Sequence, residues 1–224
     1  MCVETVQLPA WATWNARASG VGFALFSLLT ALVQVRWTEG IDRAVAQWVA
    51  DFSWEPLGWW SGLAAVLVSA EASVLYGGLA ALLLWRVGLG WWSLAPLAFL
   101  LAFPVEFGMK LTVDQPLVLP EWVRPGYHYP LISVVPRGSF PSGHALRSGY
   151  LCVFAGVMLW QLGGPRLRGA ALGMVPLLML LGITRIYMGY HWTSDVVAGL
   201  ALGMAIAFLV APVLAERIAA KSGR

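Results

Sequence analysis

The sequence predicts an all-α fold, a polytopic membrane bundle of about six transmembrane helices with an additional amphipathic segment at the membrane surface. Hydrophobic residues make up 59% of the 224 positions and charged residues only 11%, whereas a soluble domain has about 25% charged residues. Mean hydropathy is +0.74. The apolar residues are gathered into runs that approach the length of about 20 residues needed to cross a bilayer. At this size we expect a single domain over residues 1–224.

Six apolar runs are predicted to cross the membrane, with a turn or a loop between successive runs. A partly inserted segment from Leu57 to Ala70 is predicted before the second span, because Glu71 interrupts the apolar stretch there. The predicted spans cover residues 20–35, 72–85, 91–109, 144–162, 167–186 and 193–214.

The segment between the first two apolar runs is predicted to form a short helix at the membrane surface. Ile41, Val45, Trp48 and Val49 recur at helical spacing, with charged residues between them. An apolar stripe beside a charged face is typical of a helix that lies in the plane of the membrane surface.

Loop charges predict the orientation of the bundle. An even number of spans places both termini on one side, and an excess of Lys and Arg in short loops marks the cytoplasmic side. The opposite ends therefore face the periplasm or exterior of an inner (plasma) membrane. The cations on the predicted cytoplasmic side are Arg17, Arg86, Arg166, Arg168, Arg217, Lys221 and Arg224.

The net charge of +3 excludes one class of partner. The Lys and Arg residues are scattered along the sequence, whereas a nucleic-acid-binding protein needs a basic stripe or patch. We therefore expect the bilayer, and no nucleic acid, as a partner. The oligomeric state stays open, because lipid-facing and partner-facing apolar helices have the same composition.

Three polar stretches lie at the predicted outer ends of the spans, where loops can bring them into one pocket. They are KLTVDQP at 110–116, PSGH at 141–144 and TRIYMGYHWTSD at 184–195. Ionisable residues at membrane depth are rare and usually functional. These stretches are therefore the candidate functional site.

In the third stretch, His191 and Asp195 are four residues apart and share one face of a helix. A carboxylate so placed can accept the proton on Nδ1 and fix the tautomer of the imidazole. The other ring nitrogen, Nε2, is then unprotonated and nucleophilic.

In the second stretch, Ser142 and Gly143 open a predicted helix, whose first backbone amides have no partners and can bind an anion. Positive charge for an oxyanion can come from Lys110 and Arg185, with Arg124 as a further candidate. His144 can protonate a departing oxygen. The set has neither paired carboxylates nor a zinc-like histidine spacing, so it predicts metal-free phosphoryl transfer through a histidine.

These stretches resemble the three motifs of the type 2 phosphatidic acid phosphatase superfamily, in its membrane-bound branch: K-x6-RP, PSGH and SR-x5-H-x3-D. The second motif is complete at residues 141–144. The third matches at Arg185, His191 and Asp195, with Thr184 in place of its serine. The motif core therefore extends over residues 110–195, and a six-span bundle with an outward-facing site is what the resemblance implies.

The first motif departs from the family pattern. Lys110 is present, but Leu117 and Val118 occupy the positions of the arginine and the proline. An Arg-Pro pair follows at Arg124, which we predict to replace the missing arginine, with Arg137 as a competitor.

The resemblance also implies a role for each matching residue. His191 is expected to be the nucleophile that forms a phosphohistidine, with Asp195 as its orienting partner. His144 is expected to be the general acid and then the base for water, and no metal or cofactor is implied. The residues expected to hold the phosphoryl oxygens are Lys110, Ser142, Gly143 and Arg185.

The expected substrate is a lipid phosphate, since the site lies at the membrane surface between apolar helices. Polyprenyl diphosphate and glycerophospholipid phosphates are both candidates, and phosphoryl transfer to another lipid is an alternative to hydrolysis. Two further alternatives are a haloperoxidase-like activity and a non-catalytic membrane protein that retains the phosphate pocket. Outside the core set, Arg147 faces either the phosphate or a carboxylate, and His128 is expected at the rim.

Overall fold

The computed structural model describes residues 10–124 and 138–223, with side chains from residue 13 onward. In these ranges the chain forms eight α-helices, and a 3₁₀ segment at Gly90–Ala102 continues directly into the fifth. A short 3₁₀ turn lies at Pro120–Trp122. The helices are α1 (Ala10–Gln34), α2 (Glu39–Asp51), α3 (Glu55–Leu67), α4 (Ala70–Arg86), α5 (Phe103–Thr112), α6 (Gly143–Leu162), α7 (Pro165–Tyr187) and α8 (Thr193–Lys221).

Among the described residues, five segments are long and apolar enough to cross a membrane. The pair α3 and α4 meets the same criterion when taken together, with a bend of 54° that is typical of a broken span or a re-entrant loop. The prediction of an all-α bundle with about six spans is therefore confirmed, and the chain is a multi-pass membrane protein. The first helix begins earlier than predicted, and the last continues to Lys221 rather than ending at residue 214. The five are Thr13–Gln34, Gly90–Thr112, Gly143–Leu162, Pro165–Tyr187 and Thr193–Lys221.

The bend between α3 and α4 lies at the interruption that Glu71 predicts. Ser69 caps α4, because its side chain accepts a hydrogen bond from the Ala72 amide at 3.1 Å. On the other side of the break, the Val68 carbonyl accepts a hydrogen bond from Arg147 Nε at 3.1 Å. Both ends of the break are thus satisfied by polar partners inside the protein, as backbone at membrane depth requires.

The centre of the bundle is the contact between α6 and α8, where the two backbones approach closely. A Cβ atom on Gly149 would lie 2.7 Å from the Leu200 carbonyl oxygen, and one on Gly203 would overlap the Leu146 backbone. Small residues at a membrane helix interface permit this approach. The same contact joins the first turns of the two helices, because the Ser142 amide donates to the Asp195 carbonyl at 3.0 Å.

The predicted amphipathic segment is α2. Its Ile41 and Trp48 are 57% and 68% exposed, which suits contact with lipid at the membrane surface. One acidic residue departs from the predicted pattern of exposed charges, since Asp42 is only 2% exposed. The α2 helix is therefore anchored to the bundle through a buried carboxylate.

Candidate active site

The three polar stretches meet at one end of the bundle, through hydrogen bonds between the segments that contain them. Ser139, just before the second stretch, donates through its amide to Gln115 O at 3.2 Å and through its hydroxyl to Pro116 O at 3.0 Å. The indole of Trp192, in the third stretch, donates to the same Pro116 carbonyl at 2.7 Å. The structure therefore brings residues 110–116, 139–144 and 184–195 together, as the sequence predicts.

His191 and Asp195 face each other across the start of α8. Nδ1 of the imidazole lies 3.4 Å from Asp195 Oδ2, at the long end of a hydrogen bond. The same Oδ2 accepts from the Trp192 amide at 3.0 Å. The Asp195 side chain is fully buried, whereas that of His191 is 14% exposed. The carboxylate is thus fixed by the backbone, whereas the imidazole stays partly accessible.

Burial lowers the pKa of His191 below its usual value. The hydrogen bond and the charge of Asp195 raise that pKa, and the positive charges of Lys110 and Arg185 lower it. The balance favours a neutral imidazole near neutral pH, the form in which a ring nitrogen is a nucleophile.

The second stretch begins α6 with a side-chain cap. Ser142 Oγ accepts from the Ala145 amide at 3.3 Å, and Ser142 is fully buried. His144 lies in the first turn of the helix, half-buried, and its carbonyl accepts from Ser148 Oγ at 2.9 Å. Because the first turns of α6 and α8 are joined, His144 and His191 lie at the same end of the bundle.

The two predicted cations are nearly buried beside this helix start. Lys110 Nζ lies 3.5 Å from Ser139 O, and Arg185 is 1% exposed. Arg185 also donates through its Nη2 to Ser61 O at 2.9 Å, which ties it to α3. Both side chains therefore place positive charge close to His191.

Glu106 is an acidic neighbour of the residues that are expected to hold the phosphoryl oxygens. Its carboxylate lies 3.7 Å from Lys110 Nζ and 3.8 Å from Arg147 Nη1. A Cβ atom on Gly143 would overlap this carboxylate. The alternative in which Arg147 packs against a carboxylate is thus the one that the structure shows. Glu106 was identifiable in the sequence only as a charge inside an apolar run.

Arg124 is placed differently from its predicted role as a phosphate ligand. Its guanidinium donates to four carbonyls, those of Tyr187 at 2.8 Å, Val49 at 2.6 Å, Phe52 at 2.5 Å and Ala50 at 3.5 Å. It also lies over the Tyr187 ring, 4.2 Å from the centroid. In this structure Arg124 joins the end of α2 to the end of α7, a role that the sequence did not predict, and its role as a phosphate ligand stays a prediction. The competitor Arg137, like His128, lies outside the described residues.

Asp42 and Ser194 form a buried pair that the sequence reasoning missed. Both oxygens of the Asp42 carboxylate accept hydrogen bonds from Ser194, from its amide at 2.9 Å and from its hydroxyl at 2.6 Å. A weak signal was present, since Asp42 is seven residues before Val49 and shares the inward-facing side of α2. The contact itself joins residues that are 152 positions apart.

The chain matches a known protein family over most of its length. The family model described as the PAP2 superfamily matches residues 69–219, well over half of the chain and all three polar stretches. The chain belongs to the PAP2 superfamily. The resemblance of its motifs is thus confirmed at the level of the family.

One sequence relative and one solved structure that resemble this PAP2 protein both come from Bacillus subtilis. A region of 101 residues is 34% identical to phosphatidylglycerophosphatase B of strain 168, and it covers 42% of this chain. That match spans 48% of the relative, about half its length. The fold is also similar to the crystal structure of the first transmembrane PAP2 type phosphatidylglycerolphosphate phosphatase, with a TM-score of 0.70 at 20% identity. That similarity covers 87% of this chain and 94% of the other, and it supports the fold alone.

Proposed function

We propose that this PAP2 protein is an integral-membrane lipid phosphatase that hydrolyses a lipid phosphomonoester or diphosphate through a phosphohistidine on His191. The observation that supports it most directly is the pairing of His191 with the buried Asp195, beside the start of α6. A carboxylate on Nδ1 leaves Nε2 available for attack on phosphorus.

The first step transfers the phosphoryl group to the enzyme. His191 Nε2 forms a bond to phosphorus while the bond from phosphorus to the leaving oxygen breaks, and His144 gives its proton to that oxygen. In the second step, water attacks the phosphohistidine, and His144 takes a proton from it. Cleavage of the N–P bond then releases inorganic phosphate and restores both imidazoles.

The charge of the transferring phosphoryl group is spread over its equatorial oxygens, so stabilisation must come from positioned donors. Lys110 and Arg185 supply positive charge that acts on His191. Ser142 and Gly143 place the first amides of α6 at the same end of the bundle. These four residues are the proposed phosphate ligands, and Arg124 is not among them.

The proposed substrate has its tail in the bilayer and its phosphate at the outward-facing surface of the plasma membrane. Glycerophospholipid phosphates and polyprenyl diphosphate both satisfy this description. The sequence similarity to phosphatidylglycerophosphatase B favours the glycerophospholipid class. A panel of both classes in detergent, with rates compared per enzyme, decides between them.

The test is phosphate release by purified protein in EDTA, compared with a His191→Gln variant. We expect release by the wild type and loss of at least about 10³-fold in the variant, because removing a nucleophile leaves only binding effects. A His128→Gln variant is the matched histidine control. Release that EDTA abolishes, or that persists without His191, contradicts the mechanism. Recovery of phosphate on an added lipid alcohol instead of in solution identifies the transferase alternative.

A further inference from the structure

The buried carboxylate of Asp42 contacts the chain beside the proposed nucleophile. Asp42 lies on α2, and both of its oxygens are hydrogen-bonded to Ser194, the second residue of α8. The carboxylate and its partner are 2% and 5% exposed. An ionised carboxylate is costly to bury unless its oxygens accept hydrogen bonds, and here each oxygen does so.

The contact completes the start of α8. The first amides of a helix have no partner within the helix, and Trp192, the residue before α8, provides no side-chain cap. Asp195 accepts from the Trp192 amide, and Asp42 accepts from the Ser194 amide. A negative charge is also favourable at a helix N-terminus. Two carboxylates, one from α8 and one from α2, thus hold the first turn.

The segment that contains Gln115 also contacts Ser194. Gln115 Nε2 lies 3.3 Å from Ser194 Oγ, so the segment after Lys110 also contacts the hydroxyl that Asp42 accepts from. The crevice around this contact is small and is lined by Arg36, Glu39, Asp42, Arg43, Gln115, Pro116 and Trp192. Arg43 Nη2 lies 2.7 Å from Glu39 Oε1, so this arginine forms its ion pair within α2. Within the part of the chain that the structure describes, both hydrogen bonds to the Asp42 carboxylate come from Ser194.

We propose that Asp42 is a positioning residue: by holding Ser194, it sets the place of the adjacent Asp195 and so the orientation of the His191 imidazole. This inference rests on the proposed role of His191 as the nucleophile. Its physical basis is the demand of nucleophilic attack for a fixed geometry, since a displacement of about 1 Å can cost roughly 10²-fold in rate.

The test compares four variants in the full-length protein in detergent. Asp42→Ala removes both hydrogen bonds, and we expect kcat to fall by about 10- to 100-fold with little change in KM. Asp42→Asn keeps an oxygen for the Ser194 amide and should restore part of the rate. Ser194→Ala removes only the hydroxyl and should have a smaller effect. Asp51→Ala, an exposed aspartate at the end of the same helix, is the matched control and should retain wild-type kcat.

A second readout does not depend on turnover. With ¹⁵N-labelled histidine, the ring nitrogens of His191 report its tautomer, and the His191→Gln spectrum assigns them. We expect Asp42→Ala to lower the population protonated on Nδ1, whereas Asp51→Ala leaves it unchanged. If Asp42→Ala does not fold, Asp42→Asn and Ser194→Ala provide the same comparison with one contact removed at a time.

The outcomes separate this inference from the proposed function. An active wild type whose Asp42→Ala variant keeps both its kcat and its His191 signals overturns the positioning role. An equal fall in kcat for Asp42→Ala and Asp51→Ala also overturns it. A wild type that releases no phosphate overturns the proposed function, and the His191 spectra still test the link from Asp42.

Discussion

The carboxylate of Glu106 lies 3.7 Å from the ammonium group of Lys110, one helical turn away on α5. The same carboxylate lies 3.8 Å from Arg147 and against Gly143. Three charges therefore lie together beside the start of α6. An incoming phosphate would compete with Glu106 for the same positive charge.

Glu106→Gln is expected to strengthen the binding of inorganic phosphate. Removing the negative charge leaves the field of Lys110 and Arg147 uncompensated in a poorly solvated site, where charge interactions are strong. The inhibition constant for inorganic phosphate should fall several-fold. Glu39→Gln, an exposed change on α2, is the control and should leave that constant unchanged. Weaker phosphate inhibition in the Glu106 variant would show that the carboxylate orients Lys110 rather than opposing the anion.

Gly203→Val is expected to destabilise the bundle at the contact between α6 and α8. A side chain there would overlap the backbone of Leu146, which cannot move without displacing the start of α6. Overpacking of this kind costs about 1–3 kcal/mol or more. Thermal unfolding in detergent measures it, and Gly173→Val, where a Cβ meets nothing within 4 Å, is the control. Equal melting temperatures for the two variants would mean that α6 and α8 can move apart at little cost in free energy.

The sequence predicts contacts between residues that are close in the chain better than contacts between residues that are far apart in it. The spans follow from runs of apolar residues, and the pairing of His191 with Asp195 follows from a separation of one helical turn, so neither needs knowledge of the fold. The contacts of Arg124 could not be predicted, because its carbonyl partners on and after α2 are more than 70 positions away in the chain. The contact between Asp42 and Ser194 spans 152 positions. Only the packing of α2 onto the bundle reveals these two roles.

Arg124→Ala is expected to lower stability more than it lowers the rate per folded enzyme. The guanidinium donates to carbonyls on both sides of a contact between α2 and the end of α7. Hydrogen bonds to a charged group contribute about 1.5–3 kcal/mol each, so the melting temperature should fall clearly. Arg124→Lys should restore little, because an ammonium group cannot reproduce the planar arrangement of donors.

The comparison that tests this assignment is with Arg185→Ala, since Arg185 is a proposed phosphate ligand. We expect kcat/KM of folded protein to fall much further for Arg185→Ala than for Arg124→Ala. The reverse order would return Arg124 to the role of a phosphate ligand that the first motif predicts.

The titration of His191 should reflect the charges around its imidazole. Burial lowers the pKa of His191 from its usual value of 6.5, so ¹⁵N-histidine NMR should show a midpoint below 6.5. Asp195 raises this pKa and Lys110 lowers it. Asp195→Asn should therefore move the midpoint down, and Lys110→Met should move it up; shifts in the opposite directions would contradict the arrangement of charges around the imidazole.

The lowered pKa of His191 also makes the stability of the fold depend on pH. Because the pKa of His191 is lower in the folded state, the unfolded chain binds the proton more readily. The contribution of His191 to stability is therefore complete above pH 6.5 and declines as the pH falls from 6.5 toward the folded-state pKa. Thermal unfolding measured across this range should show a smaller loss of stability at acid pH for His191→Gln than for the wild type, since glutamine takes up no proton. A wild type and a variant with parallel losses would show that the imidazole is solvated and that its pKa is not lowered.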